Sequence, residues 1–133
     1  MSYYVYELND NYVRADFADL VGKVLKSVEI RDDNETIVFE TIDGEIYFQY
    51  YPLDYIGEVY VDDVVGDFND IIGTPILVAE ESNSNDDGKG DAYYTWTFYR
   101  LATVKGWMNI KWYGTSHNGY YSECAEFYKV KVI

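Results

Sequence analysis

The chain has 133 residues, of which 24 are acidic, 10 are basic and 19% are aromatic, so its formal net charge is −14. This length suits one domain with a sizeable core, and the aromatic content argues against a disordered chain. Cys124 is the only cysteine, which excludes an internal disulfide and favours a reducing compartment. No apolar run is long enough to cross a membrane as a helix. We therefore expect a soluble, intracellular protein made of a single domain, residues 1–133.

The acidic residues are concentrated in the middle of the chain. Residues 32–99 contain 17 acids and one base, Lys89. A charge distribution of this kind repels nucleic acid and attracts basic protein surfaces. The sequence therefore indicates a protein that does not bind nucleic acid directly, although solubility alone would also explain the charge.

A seven-residue pattern occurs twice, at residues 16–22 and 67–73. Both copies read Asp-Phe-x-Asp-apolar-apolar-Gly and are followed by a mostly apolar run. The leading Asp is a good helix N-cap, and the Gly is suited to the residue just after a helix. Each copy therefore predicts a short helical turn that opens one of two related halves, residues 16–65 and 67–132.

Alternating apolar and polar residues, bounded by turn residues, predict a short strand at 3–6 and then four strands in each half. The strands of the two halves are predicted at 24–31, 36–41, 45–51, 58–65, 75–81, 93–103, 107–113 and 120–132. Residues 82–91 and 114–119 are predicted to be loops. The predicted fold is mainly β (α+β), with about eight mostly antiparallel strands as two related four-stranded halves, each opened by a short helical turn. The pattern allows a sandwich or a barrel.

The strand at 93–103 is predicted to place Trp96, Phe98 and Leu101 on one face. Thr95, Thr97 and Tyr99 are predicted on the other face. In this interpretation the aromatic residues serve core and cross-strand packing.

No catalytic or metal motif stands out. The single histidine, His117, is predicted to lie in an exposed turn, and Cys124 is on a predicted strand. The sequence has no Gly-x-Ser-x-Gly motif, which would mark a serine nucleophile. Residues 83–88 resemble the start of a calcium loop, but its twelfth position is Tyr94 and not Glu. We therefore expect no enzyme activity, no metal and no cofactor.

Protein binding is the function class that remains. Same-face side chains of a sheet lie about 6.6 Å apart along a strand and about 4.8 Å apart across strands. Carboxylates on such a grid can replace the phosphates of duplex DNA, which carries one charge per about 1.7 Å of axis. The predicted partner-binding residues are the carboxylates of the central span: Asp62, Asp63, Asp67, Asp70, Glu80, Glu81, Asp86, Asp87 and Asp91. Asp67 and Asp70 have a second interpretation as caps of their helical turn.

Several segments resemble a family of small acidic proteins encoded by phages and prophages. The resemblance covers most of the chain from about Leu20, and its most specific segments are Gly73-Thr74-Pro75, Thr97-Phe98-Tyr99 and Asn118-Gly119-Tyr120-Tyr121-Ser122. The family has no assigned function, so the resemblance implies no catalytic residues. The chain departs from it at residues 51–57, where relatives tend to carry His and Cys.

A phage setting implies antagonism of host defences. The function predicted on this basis is non-enzymatic, anti-CRISPR-like inhibition in the host cytoplasm. The inhibitor would bind a basic nucleic-acid-handling surface of a host defence protein, such as a CRISPR effector nuclease, with DNA mimicry as one mechanism. Two alternatives stay open: a module that binds a small molecule such as a nucleotide signal, and a virion assembly protein. The sequence does not define the oligomeric state.

Overall fold

The computed structural model describes residues 3–51, 58–87, 93–116 and 124–131. Its elements are one α-helix, two helical turns of the 3-10 type and nine strands. The helix is α1 (Tyr3–Leu8), and the helical turns are Phe17–Leu20 and Phe68–Ile71. The strands are β1 (Tyr12–Arg14), β2 (Leu25–Arg31), β3 (Thr36–Thr41), β4 (Ile46–Tyr50), β5 (Val59–Val65), β6 (Val78–Asp87), β7 (Tyr93–Thr103), β8 (Gly106–Ser116) and β9 (Glu126–Val130).

The strands form two sheets in which every neighbouring pair is antiparallel. The first sheet has the order β1-β9-β4-β3-β2, and the second has the order β5-β8-β7-β6. Neither sheet closes on itself in the described ranges, so the architecture is a sandwich and not a barrel. The prediction of a mainly β, mostly antiparallel fold is confirmed.

The last strand of each predicted half lies in the sheet of the other half. β2, β3 and β4 are followed across the first sheet by β9, whereas β6, β7 and β8 are followed by β5. Each sheet therefore contains three consecutive strands from one half and one strand from the other, and β1, which precedes both halves, is the fifth strand of the first sheet. Because neither half contains all the strands of a sheet, the two halves depend on each other for their main-chain hydrogen bonds.

Both predicted helical turns form, and both are capped by their leading aspartate. The Asp16 carboxylate accepts a hydrogen bond from Ala18 N at 3.1 Å, and the Asp67 carboxylate accepts one from Asn69 N at 2.9 Å. Asp19 also accepts a hydrogen bond from Asp16 N at 3.3 Å, which completes a capping box in the first turn.

The glycines that end the two turns make equivalent contacts. Gly22 and Gly73 have φ angles of 88° and 89°, a region that residues with a side chain rarely adopt. Gly22 N donates to Ile76 O at 2.8 Å, and Gly73 N donates to Leu25 O at 2.9 Å. This reciprocal pair of hydrogen bonds joins the beginnings of the two halves and holds the sheets together at one side.

The core lies between the sheets. Its largest buried side chain, Trp112, donates its indole N–H to Gln49 Oε1 at 2.8 Å and so links the second sheet to the first. Phe17 from the first helical turn packs edge-on against Tyr99 of β7, with ring centroids 4.7 Å apart. The first helical turn therefore contributes directly to the packing that fixes the two sheets.

The N-terminal prediction is wrong: residues 3–6 belong to α1 and not to a strand. Val5 is 2% exposed and packs in a second apolar cluster with Phe48 and Tyr128, on the outer face of the first sheet. Burial of this helix face outweighs the strand preference of tyrosine and valine. The helix therefore covers the face of the first sheet that points away from the core.

The predicted loop at 82–91 is wrong over residues 82–87, which extend β6. These residues pair with β7 in unbroken register, and Thr97 Oγ1 donates a hydrogen bond to Asn83 at 2.8 Å. The polar composition concealed the strand, since residues 82–84 are exposed on both faces at the sheet edge. The rest of that prediction, at 88–91, lies outside the described residues.

The orientation predicted for β7 is also wrong. Tyr99 and Leu101 are fully buried, whereas Trp96, Phe98 and the exposed Arg100 occupy the opposite face. Successive strand residues point to opposite faces, so a charged residue between two core residues sets the orientation of the whole strand. The aromatic residues predicted for the core therefore lie on the outside of the second sheet.

Four larger differences from the predicted strands remain, besides shifts of one residue at the ends of β2, β4, β5 and β8. The first strand of the second half begins at Val78, because Pro75 makes only an isolated bridge to Val24. Residues 114–116 extend β8, and β9 covers only 126–130 of the predicted 120–132. β1 was not predicted. The predictions for 52–57 and 117–123 lie outside the described residues.

Candidate protein-binding surface

The outer face of the first sheet is covered by a helix, α1, whereas that of the second sheet is not covered by any described element. Cross-strand register places six aromatic side chains there, all intermediate in exposure or exposed. We call this surface the aromatic face; its aromatic residues are Tyr60, Tyr94, Trp96, Phe98, Trp107 and Tyr113.

Tyr113 lies at the centre of the aromatic face. Its ring centroid is 4.7 Å from that of Trp96, 5.4 Å from that of Tyr60 and 5.9 Å from that of Tyr94. These contacts join three strands, and such cross-strand aromatic pairs are typically worth a few tenths to one kcal/mol each. The rings are therefore held in place before any partner arrives.

A lysine shows what the aromatic face can bind. Lys111 Nζ lies 4.2 Å from the centroid of Trp96 and 3.5 Å from Asp62 Oδ2. The ammonium group is thus held between a ring and a carboxylate, which together compensate its partial loss of water. A cation from another protein would meet the same two kinds of group on this surface.

The central tyrosine stays neutral at physiological pH. Burial raises the pKa of Tyr113 above its ordinary value, and the neighbouring Tyr94, Tyr60, Glu58 and Asp62 raise it further. Its hydroxyl therefore remains a hydrogen-bond donor and is not available as a phenolate nucleophile. Glu58 is an additional carboxylate beside this surface that the sequence analysis did not select.

A groove of about 460 Å³ runs along the β6 side of the aromatic face. Register places Arg100 directly opposite Glu80, and no ion pair of Arg100 is found within the described part of the chain. The groove is lined by Glu80, Glu81, Ser82, Phe98, Arg100 and Asn109.

Three of the predicted carboxylates lie on the aromatic face. Asp62 is the extra residue of a β-bulge in β5 and contacts Lys111. Asp63 is exposed and pairs in register with Lys111, and Glu80 is exposed on β6. All three share the face of the aromatic rings, with Asp62 and Asp63 at the β5 edge and Glu80 at the β6 edge of the sheet.

Two predicted carboxylates support the fold instead. Asp67 caps the second helical turn. The Asp70 side chain packs closely on Gly106: a Cβ atom added to Gly106 would lie 2.9 Å from Asp70 Oδ2. The main-chain carbonyl oxygen of Asp70 accepts a hydrogen bond from the Thr103 hydroxyl. The Asp70 contacts hold the helical turn against the β7–β8 hairpin, so the capping interpretation is confirmed for Asp67 alone.

Glu81 points to the other side of β6 from Glu80, but at this exposed edge it borders both the groove and a second cavity. This cavity, a cleft of about 430 Å³ between the sheets, is also lined by Arg14 and Phe127. Burial raises the pKa of the nearby Cys124 thiol, and the carboxylates of Glu126 and Glu81 raise it further. A protonated thiol is a poor nucleophile, so this cleft lacks the activation that cysteine catalysis needs.

The remaining predicted site residues have no described side chains. Asp86 and Asp87 belong to β6 by their main chain, in register with Tyr94 and Tyr93, and Asp91 lies outside the described residues. The six predicted carboxylates with described side chains are therefore distributed over the aromatic face, the cleft and the second helical turn, and these six do not form one continuous array.

The aromatic residues of this surface were missed by the sequence analysis. The signal that would have found them is Arg100, because a charged residue between Tyr99 and Leu101 shares its face with Phe98 and Trp96. In the ranges that the structure describes, no group of three His, Cys, Asp or Glu side chains could hold a metal ion. No helix of the described chain is both long and apolar enough to span a bilayer.

Comparison with known proteins identifies a family but no function. A model of a domain of unknown function, DUF7448, matches residues 18–127, which run from within the first helical turn to the start of β9. A search of curated proteins found no match, and neither did a search of solved structures. Because the match covers most of the chain, the protein belongs to the DUF7448 family.

Proposed function

We propose that this protein is a non-enzymatic binding protein whose aromatic face engages a basic surface of another protein. The observation that carries this proposal is an uncovered sheet face on which half-exposed rings stand beside carboxylates. Protein interfaces are enriched in Tyr and Trp, and a few such residues typically supply most of the binding energy.

The chemistry of the aromatic face favours arginine in the partner. A guanidinium group stacks on aromatic rings and forms paired hydrogen bonds with carboxylates, so it can use both kinds of group at once. Trp96 supplies a ring, and Asp62 and Asp63 supply carboxylates within the same three strands. The net charge of −14 assists the approach of a basic partner from a distance.

The partner class that we propose is a host defence protein that handles nucleic acid, such as a CRISPR effector nuclease, with this chain acting as its inhibitor. Its nucleic-acid channel would provide the basic surface. Lys111 and Arg100 interrupt the negative surface, so its carboxylates do not imitate a row of phosphates. This arrangement favours binding through the aromatic rings, with carboxylates contributing at the edges of the contact.

A nucleotide-binding function has less support. Phe98 and Arg100 line the groove beside β6 and could meet a base and a phosphate, but Glu80 and Glu81 line the same groove. Carboxylates that line the same groove would repel a phosphate group.

The experiment that tests the proposal is capture of proteins from host-cell lysate on immobilised protein, followed by elution with increasing salt. The test variant is Trp96→Thr with Asp63→Asn, which removes a ring and a charge from the aromatic face. The control variant is Tyr6→Ser with Asp43→Asn, which removes an exposed ring and an exposed charge elsewhere. Both variants change the net charge equally.

We expect the wild type and the control variant to retain the same basic protein, which elutes as salt rises, and the test variant to lose it. Equal retention by the two variants would contradict a role for the aromatic face. Retention that is insensitive to salt would contradict the role of the carboxylates.

A further inference from the structure

The described sheets have four edge strands, and three of them carry features that prevent further pairing. β1 has only three residues. β2 contains a bulge between Leu25 and Ser27 and carries Lys26, and β5 contains a bulge between Val61 and Asp63. Short strands, bulges and charged side chains are the usual means by which proteins protect sheet edges.

β6 has neither the short length nor the bulges of the other edge strands, and its charged side chains are all acidic. It is ten residues long, it pairs with β7 without a register shift, and it contains neither proline nor lysine. Residues 80–84 are exposed one after another, so both faces of the strand meet solvent. Gly22 and Lys23 hydrogen-bond with Ile76, and the first helical turn packs near the beginning of the strand. In the described part of the chain, no strand pairs with the free side of residues 80–87.

The charge of this edge selects its partner. Glu80, Glu81, Asp86 and Asp87 give residues 80–87 four acids and no base. Two copies of the chain would bring these strands together against mutual repulsion, which opposes self-association. An extended segment that carries cations meets no such barrier, and its main chain can satisfy the free N–H and C=O groups of the edge.

We propose that residues 80–87 of β6 accept an additional strand from the partner, and that this strand is an extended basic segment. The inference rests on the proposed function and names the part of the partner that binds. Glu80 and Ser82 border the groove beside Phe98 on the aromatic face, so alternate side chains of the added strand extend that face. Main-chain pairing at β6 and cation binding by the rings and carboxylates therefore act on one ligand.

The test uses a synthetic peptide as long as β6, in which arginine and threonine alternate. Two control peptides have the same sequence with N-methyl groups on the odd-numbered or on the even-numbered residues, which removes the main-chain donors of one edge and keeps the charge. Binding of all three peptides is measured by calorimetry, and amide hydrogen exchange of the full chain is followed by NMR. The variant Glu80→Gln with Glu81→Gln is compared with Glu35→Gln and Asp43→Asn, two exposed acids in turns of the first sheet.

We expect the unmodified peptide to slow exchange at alternate amides of residues 80–87, and one N-methylated register to weaken binding by more than about tenfold, since several main-chain hydrogen bonds are lost. The β6 variant should bind more weakly than the turn variant. Equal binding of all three peptides, or unchanged exchange in β6, would overturn the proposed strand addition while leaving the aromatic face open to its own test. If the Trp96→Thr, Asp63→Asn variant captures the lysate partner normally, the proposed function itself fails.

Discussion

Gly66 joins β5 to the second helical turn, and its replacement by alanine should cost stability for two separable reasons. The residue has a φ angle of 114°, where an L side chain is strained by about 1–2 kcal/mol. A Cβ atom there would lie 2.6 Å from Trp107 O and 3.0 Å from Met108 Cα, which are main-chain atoms of β8. Because the main chain must move to relieve this overlap, we add about 1–3 kcal/mol and expect Gly66→Ala to lose about 2–5 kcal/mol.

Gly44→Ala is the matched control, because Gly44 has a φ angle of 87° and no atom within 4 Å of a Cβ added to it. It should lose only the conformational cost, about 1–2 kcal/mol. Urea unfolding followed by tryptophan fluorescence measures both free energies of unfolding, with unchanged slopes as the sign of intact two-state behaviour. Equal losses in the two variants would refute the contact between residue 66 and β8 as the source of the difference.

Three other changes have defined outcomes. The Glu45 carboxylate accepts hydrogen bonds from Lys129 and Lys23, which lower its pKa. Glu45→Gln should therefore lower the free energy of unfolding by about 1–2 kcal/mol at neutral pH. A carboxyl with a lowered pKa stabilises the fold above its unfolded pKa, so in urea unfolding this cost should shrink as the pH falls below about 4. Asp16→Ala and Asp67→Ala should each lower the free energy of unfolding by about 0.5–2 kcal/mol in thermal unfolding. The loss should be larger for Asp16→Ala, because only Asp16 has a full capping box; the reverse order would contradict the cap assignment. Burial raises the pKa of Cys124, so iodoacetamide should label it more slowly at neutral pH than it labels the urea-unfolded chain, and equal rates would show that the thiol is not shielded.

Local signals in the sequence predicted the parts of the fold that depend on neighbouring residues. The caps at Asp16 and Asp67 form, and the predicted strands 36–41 and 93–103 have the predicted ends. Turn residues and alternation act within a few positions, so they are readable from one sequence.

Long-range pairing was not readable in the same way. The exchange of β5 and β9 between the halves depends on contacts between residues far apart in the sequence. The helix at Tyr3–Leu8 forms because Val5 is buried on the first sheet, a contact that local composition does not encode. β6 extends to Asp87 because it pairs with β7 along its whole length.

The candidate site was predicted in part. The negative charge was evident from composition, and Asp62, Asp63 and Glu80 do lie on the aromatic face. The rings were assigned to the core because aromatic content and alternation do not by themselves distinguish the two faces of a strand. In β7 the orientation follows from Arg100, and it places Trp96 outside.

The most direct test of the proposed function is the affinity of the captured partner, once purified, for the two charge-matched variants. If the aromatic face is the binding surface, Trp96→Thr with Asp63→Asn should weaken binding by at least about tenfold, the loss expected when a central aromatic residue of an interface is removed. Tyr6→Ser with Asp43→Asn should bind as the wild type does. Wild-type affinity in the first variant, with its fold intact by circular dichroism, would contradict the proposal that this face binds the partner.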